Sequence, residues 1–175
     1  MSDFMDYIRN RRSNRKYDSQ PVSREKLDLI LEAGLRSPTG NNFRETEFIL
    51  IEERQVLLEL SCLRKVATRM LSTAGAAIVV IADREKSNLW IEDASAAMAY
   101  MHLTASALGL GSCWVQMRTR NDEDGNYLEE VLREKFNVPD NMGVLAILAI
   151  GNINEKDKKK MRKNLNWNRV HSEEF

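Results

Sequence analysis

The fold of this chain is decided by the stretch Ala76-Ala77-Ile78-Val79-Val80-Ile81-Ala82, which carries no polar side chain. A strand with water on one face alternates polar and apolar residues, whereas a strand covered on both faces is apolar throughout. Residues 144–150 form a second run of the same kind. The two runs therefore predict central strands of a sheet that is packed on both faces.

A long helix is predicted between these strands, over residues 90–108. Its apolar residues recur at steps of three and four, the pattern of a seam between packed helices. They are Ile91, Ala94, Met98, Met101, Ala105 and Leu108. The pattern fits a central core helix and a helix shared across a dimer interface equally well. We expect His102, which lies beside the seam, to be structural.

Shorter elements surround this centre. A first helix is predicted to end near Arg11, and a second to begin at Ser23 as N-cap, with Val22 packed against Leu27. Further strands are predicted near residues 48–51 and 112–117, with helices near 53–60 and 127–136 and a weak helical pattern over 64–73. Together they predict one domain of mixed α and β structure, over residues 1–175.

The charge balance narrows the class of function. The 175 residues include 26 basic and 26 acidic side chains, and nucleic-acid binders and membrane-surface binders normally carry a positive excess. The acidic start lacks the layout of a secretory signal, and no apolar run is long enough to span a bilayer. We therefore expect a cytoplasmic protein with neither nucleic acid nor membrane as a partner.

The sequence offers little chemistry in its own side chains. Cys62 and Cys113 lack partners at metal-ligand spacing, so we expect both to be buried and expect no metal site. There is no nucleophile elbow, no Walker loop and no dinucleotide-binding glycine motif. We predict no catalytic acid, base or nucleophile, and an enzyme of this kind would rely on a cofactor as its reagent.

One cluster is suited to a phosphate. Arg11-Arg12-Ser13-Asn14-Arg15 places three guanidinium groups and a hydroxyl within five residues. Guanidinium groups bind phosphate through paired, charge-assisted hydrogen bonds. Taken alone, the cluster is better explained as a solvated group at a helix end, where cations are favoured by the helix dipole.

Three further segments follow the cluster in a recognisable order. They are the loop 37–42 (Ser-Pro-Thr-Gly-Asn-Asn), the turn 109–114 (Gly-Leu-Gly-Ser-Cys-Trp) and the basic tail 158–163 (Lys-Lys-Lys-Met-Arg-Lys). With Tyr17, with Leu31-Glu32-Ala33-Gly34 and with Arg169-Val170-His171, this order resembles the nitroreductase family of FMN-dependent oxidoreductases. The resemblance runs nearly end to end.

The resemblance implies an α+β fold, with a mixed, mainly antiparallel sheet flanked by helices and FMN at the interface of a homodimer. Arg11 and Ser13 would bind the FMN phosphate beside Arg12, and Lys160 and Arg162 from the tail would close over the same group. Arg15 would lie at the pyrimidine edge of the flavin.

The remaining implied contacts come from loops. Thr39 and Asn42 would hydrogen-bond the polar edge of the ring from the other subunit. Gly109 and Gly111 would let the backbone approach the flavin closely. NADH or NADPH would pass hydride to flavin N5, and a small-molecule electron acceptor such as a nitroaromatic or a quinone would then be reduced.

One segment departs from the family. Many members follow the loop asparagine with a glutamine and a proline, where this chain has Arg44 and Glu45 after Phe43. The substrate is therefore open, and dehalogenation or flavin fragmentation, as in some relatives, is an alternative. A flavin-binding module without turnover is a second alternative, and a nucleic-acid binder is the weakest. A core position is favoured for Phe43 over a lid.

Overall fold

The computed structural model describes residues 4–154 and 165–175. The predicted phosphate ligands Lys160 and Arg162 lie outside the described residues. None of the helices in the described ranges is both long and apolar enough to cross a membrane.

The described chain contains five α-helices and four β-strands. The helices are α1 (Phe4–Asn10), α2 (Arg24–Leu35), α3 (Arg54–Ser61), α4 (Trp90–Ala107) and α5 (Leu128–Phe136). The strands are β1 (Thr46–Ile51), β2 (Ala76–Asp83), β3 (Gly111–Gln116) and β4 (Met142–Gly151). Short 3₁₀ turns cover Gly40–Asn42, Arg69–Thr73 and Trp167–Arg169.

The four strands form one sheet in the order β1-β2-β4-β3, and each neighbouring pair is antiparallel. The predicted mainly antiparallel sheet is therefore confirmed. A parallel contact is added by the isolated bridge between Ser13 and Ser112, at the β3 edge. This bridge attaches the segment after α1 to the sheet.

The two apolar runs occupy the centre of the sheet, as predicted. Successive side chains of a strand point to opposite faces, and in β2 they join two different cores. Ala77, Val79 and Ile81 pack in one core with residues of α3 and α5, whereas Ile78 and Val80 pack in the other with residues of α2 and α4. A strand buried on both faces needs no polar positions, which explains the unbroken apolar run.

Helix α4 is a core helix of this chain. Its apolar stripe is fully buried at Ala94, Ala97, Met98, Met101 and Ala105, and it packs against α2 and the sheet. Helix α2 can lie close to α4 and β1 because residue 34 is a glycine. A Cβ built there would lie 2.8 Å from the Phe48 ring and 3.0 Å from Met101.

Several predictions about local structure were wrong. Cys62 is exposed, although Cys113 is buried as expected. Phe43 is 40% exposed and does not join either core. The prediction that Ser23 is the N-cap of α2 is confirmed, although its side chain makes no capping hydrogen bond. The weak helical pattern over residues 64–73 does not form an α-helix. Arg69–Thr73 forms a 3₁₀ turn, and the preceding residues form irregular turns.

Candidate functional site

The arginine cluster begins where α1 ends. The Arg11 backbone N–H donates to the Tyr7 carbonyl at 3.0 Å, and the chain then leaves the helix and runs beside β3. The Asn14 N–H donates to the Ser112 carbonyl at 2.9 Å, next to the Ser13–Ser112 bridge. Main-chain pairing to a core strand therefore fixes Ser13 and Asn14 in place.

A buried tyrosine secures the far end of this segment. The Tyr17 hydroxyl donates to the Asn14 carbonyl at 2.6 Å. The Tyr17 side chain belongs to the core that includes residues of α3 and α5. Burial raises the pKa of Tyr17 well above its ordinary value, so the phenol stays protonated and remains a donor. Gly151 makes room for the ring, since a Cβ there would lie 2.8 Å from it.

The Arg11 side chain is held by a buried histidine of α4. Arg11 Nη1 lies 2.7 Å from Nε2 of His102, and His102 Nδ1 lies 2.5 Å from the Ser112 hydroxyl. Burial, and secondarily the Arg11 charge, lower the pKa of His102 to about 4. The imidazole is therefore neutral at physiological pH. His102 is structural in the sense that it holds the Arg11 side chain.

Arg12 and Arg15 border different cavities. The Arg12 guanidinium donates from Nη1 to the carbonyls of Arg9 at 2.6 Å and Arg11 at 2.5 Å. It lines a cavity of about 320 Å³ that also reaches Asn14 and Leu110. Arg15 is exposed and borders a second cavity instead.

The cavity at Arg15 is rich in cations. It has a volume of about 450 Å³ and is lined by Arg15, Lys16 and Arg69 together with the hydroxyl residues Ser72 and Thr73. Positive side chains and hydroxyls in one cavity favour an anionic or electron-rich ligand. The sequence analysis missed Arg69, because the weak periodicity of residues 64–73 gives no sign that this turn faces Arg15.

The predicted loop ligands face their own loop. The Thr39 hydroxyl accepts the Arg44 N–H at 3.1 Å, and the Asn42 side-chain oxygen accepts from Arg44 Nε at 3.0 Å. Asn41, Asn42 and Arg44 all have φ values between 51° and 57°, in the left-handed region. Non-glycine residues adopt this region at a cost, which often marks functional loops.

The loop and the arginine cluster are held at different levels of α4. The Gly40 N–H donates to both carboxylate oxygens of Asp93, in the first turn of the helix. Arg11 contacts His102, which at 1.5 Å per residue lies about 14 Å further along the axis. One chain therefore anchors Asn42 and Arg11 to separate parts of the same helix.

The departure from the family at Arg44 and Glu45 concerns the loop's own structure. Arg44 is exposed and bonded to Asn42, whereas Glu45 is only 2% exposed. Burial, and then the neighbouring Asp93, raise the pKa of the Glu45 carboxyl. The Glu45 carboxyl is therefore a buried, readily protonated group beside Asp93.

The two predicted glycines serve different purposes. Gly109 has φ +76° and ends α4: its N–H donates to Ser106, and the Leu110 N–H donates to Ala105, the bonding pattern of a Schellman cap. Gly111 is buried, and a Cβ there would lie 2.3 Å from Ile153 and 3.0 Å from Asn14. The space left by Gly111 is therefore filled by the chain itself.

Comparison with known proteins identifies the family. A sequence model of a protein family, described as the nitroreductase family, matches residues 8–74 and 61–152 of this chain. The chain belongs to the nitroreductase family. The resemblance inferred from the four sequence segments is thereby confirmed, and the match includes the arginine cluster, the loop and the turn into β3.

Two relatives match this chain over nearly their whole length. A protein of Archaeoglobus fulgidus, provisionally named an NADH dehydrogenase/NAD(P)H nitroreductase, is 32% identical over 180 residues, with full coverage of both chains. A structure from Clostridium difficile R20291, described as an FMN-dependent nitroreductase, is 41% identical with a TM-score of 0.92, covering 98% of this chain and 99% of that one.

A second solved structure of the family is described as holding the flavin itself. It comes from Desulfovibrio desulfuricans, is provisionally named a nitroreductase and is described as a complex with FMN. It is 26% identical with a TM-score of 0.77, and covers 100% of this chain and 99% of that one. Its similarity to this chain extends across the segments that form both cavities.

Proposed function

We propose that this protein is an FMN-dependent oxidoreductase that uses NADH or NADPH to reduce small electron acceptors. The proposal is supported by membership of the nitroreductase family and by relatives whose names specify FMN or NAD(P)H. The observation that carries it is the placement of Arg11 and Ser13, both fixed beside the β3 edge through Ser112. Nitroaromatics and quinones are the acceptors we propose.

The donor set fits the phosphate of FMN. That phosphate carries close to two negative charges near neutral pH and accepts several hydrogen bonds. In this proposal Arg11 and Ser13 hold the phosphate, and Arg12 adds charge from the same turn. Lys160 and Arg162 are proposed to join them from the tail. Hydrogen bonds to charged groups contribute about 1.5–3 kcal/mol each, so a few such contacts retain the cofactor without a covalent link.

The cavity at Arg15 fits the electron-rich edge of the flavin. When bound, FMN supplies the redox chemistry, accepting hydride at N5 from NAD(P)H and passing electrons to the acceptor. Arg15 places a fixed positive charge where the reduced ring carries negative charge, which favours reduction. Arg69 adds a second cation to the same cavity.

A homodimer is part of the proposal. By the resemblance to the family, the loop that carries Thr39 and Asn42 would reach the flavin from the second copy of the chain. Thr39 and Asn42 would then hydrogen-bond the ring in place of Arg44. Exposed apolar residues of α1, Phe4, Met5 and Ile8, supply surface for such an interface.

No side chain of the protein is assigned a proton-transfer or nucleophilic role. The chain's contribution is to hold the cofactor, tune its charge and position the two substrates in turn, which accounts for large rate effects when geometry is fixed. Glu45, the charged residue that replaces the family's proline, is buried and is given no role in the reaction.

The test is a visible absorption spectrum of the purified protein reconstituted with FMN. We expect a flavin spectrum that bleaches when NADH or NADPH is added without oxygen and returns when a quinone or a nitroaromatic is added. Protein that takes up no FMN would contradict the proposal. Bound FMN that bleaches with neither nucleotide would contradict the enzymatic part of it.

A further inference from the structure

The environment of His102 is more specific than a buried histidine requires. His102 is 8% exposed and lies among the buried residues of a mostly apolar helix. Both of its ring nitrogens have partners on other elements: Arg11, which is 91 residues away in sequence, and Ser112 on β3. The ring thus joins three separate parts of the fold.

The donors and acceptors around the ring fix its protonation. A guanidinium group only donates, so Nε2 must accept from Arg11 and the ring proton must lie on Nδ1. Nδ1–H then donates to the Ser112 hydroxyl at 2.5 Å, and that hydroxyl is 3.5 Å from the His102 carbonyl, to which it donates. The direction of every hydrogen bond in this chain of contacts is therefore determined.

Ser112 is the common reference point for the phosphate-binding segment. Its carbonyl accepts the Asn14 N–H at 2.9 Å and pairs the backbone at Ser13. Its hydroxyl is hydrogen-bonded to His102, which in turn is hydrogen-bonded to the Arg11 guanidinium and so orients it. The backbone and the side chain of the arginine motif are therefore both placed relative to one residue of a core strand.

We propose that neutral His102, oriented by Ser112, is a positioning residue that aims the Arg11 guanidinium at the phosphate of FMN. This role rests on the proposed function. A flexible arginine loses rotational freedom when it binds an anion. The bond to His102 restricts the guanidinium before FMN arrives, and it leaves the remaining N–H groups of the fork free to face the phosphate.

The contact differs from an ordinary packing contact in what it predicts. A histidine that only fills space affects the whole protein, and its loss weakens binding of any flavin alike. A histidine that aims Arg11 affects only ligands that carry a phosphate. Riboflavin lacks the phosphate and keeps the ring and the ribityl chain, so it is the matched ligand for this distinction.

Two substitutions test the contributions of the two ring nitrogens of His102 separately. In His102→Gln the amide oxygen reaches the position of Nε2 and still accepts from Arg11, whereas in His102→Asn the shorter side chain reaches Ser112 but not Arg11. Met101→Leu, a volume-conserving change at the neighbouring position of α4, controls for packing. Unfolding temperatures of the apoproteins show whether each variant is folded.

The experiment measures dissociation constants of FMN and riboflavin for the four proteins by fluorescence titration. We expect His102→Asn to weaken FMN about tenfold and riboflavin less than twofold, with His102→Gln and Met101→Leu within about threefold of the wild type for both ligands. Equal FMN affinity in all four proteins, or equal losses for FMN and riboflavin, would overturn the role of His102. Wild-type protein that binds no FMN would contradict the proposed function itself.

Discussion

The backbone N–H of Gly40 donates to both carboxylate oxygens of Asp93, each at 3.0 Å. This contact holds the loop that carries Thr39 and Asn42 against the first turn of α4. The neighbouring Glu45 is buried beside Asp93. Asp93 therefore holds a loop whose backbone is strained at three positions and which is proposed to serve a second copy of the chain.

Removing the Asp93 carboxylate will release the loop. We expect Asp93→Ala to lower the free energy of unfolding by about 1.5–3 kcal/mol, because a hydrogen bond to a charged group is lost. In the reconstituted protein FMN affinity also falls, since Thr39 and Asn42 are no longer held. Urea unfolding and FMN titration measure the two effects, and Glu92→Ala on the same turn is the control. A normal FMN affinity in Asp93→Ala would argue against a role for this loop.

Glu45 makes stability depend on pH above the ordinary glutamate range. Its pKa is raised in the folded state, so the folded protein keeps a proton that the unfolded chain has released. The stabilisation is complete below the ordinary glutamate pKa and is lost as pH rises through the raised value. We expect Glu45→Gln to remove this decline, whereas the exposed Glu47→Gln does not. Urea unfolding across a pH series is the measurement, and identical slopes in the three proteins would refute the prediction.

His102 has the opposite effect at acid pH. Its pKa falls from 6.5 to about 4 on folding, so its contribution is present above pH 6.5 and is lost as pH falls towards 4. The full loss amounts to about 3 kcal/mol at 1.36 kcal/mol per unit. We expect His102→Gln to lose less stability than the wild type between these limits. Parallel acid profiles of the two proteins would show that the histidine does not titrate as described.

Gly111 and Gly109 will respond differently to alanine. Gly111→Ala places a Cβ 2.3 Å from Ile153 and 3.0 Å from Asn14, which displaces the arginine segment. Gly109→Ala meets open space and strains only a left-handed backbone, at a cost of about 1 kcal/mol. We expect both variants to lose stability but only Gly111→Ala to lose FMN affinity. Thermal unfolding and FMN titration distinguish them, and equal affinities would contradict this account of Gly111.

The sheet and its two covering layers are predictable from the sequence. The apolar runs at 76–82 and 144–150 lack any polar position, and a strand buried on both faces is the simplest structure that tolerates this pattern. The periodicity of residues 90–108 similarly predicts α4. These features follow from the burial of side chains, and the local pattern of apolar residues indicates burial directly.

The partners within the site are less predictable. His102 and Arg11 are 91 residues apart, and nothing local to either residue specifies the other. The one available sign is a histidine beside the apolar seam of α4, since a buried imidazole needs partners at both nitrogens. Arg69 and Arg15 meet only because a 3₁₀ turn and the segment after α1 border one cavity.

The most direct test of the account compares FMN and riboflavin binding in the wild type and in Arg11→Ala. We expect the wild type to prefer FMN strongly, and Arg11→Ala to weaken FMN by about 10- to 150-fold, the equivalent of 1.5–3 kcal/mol, with riboflavin almost unchanged. Arg11→Ala that binds FMN as tightly as the wild type would contradict the central claim that this arginine holds the phosphate.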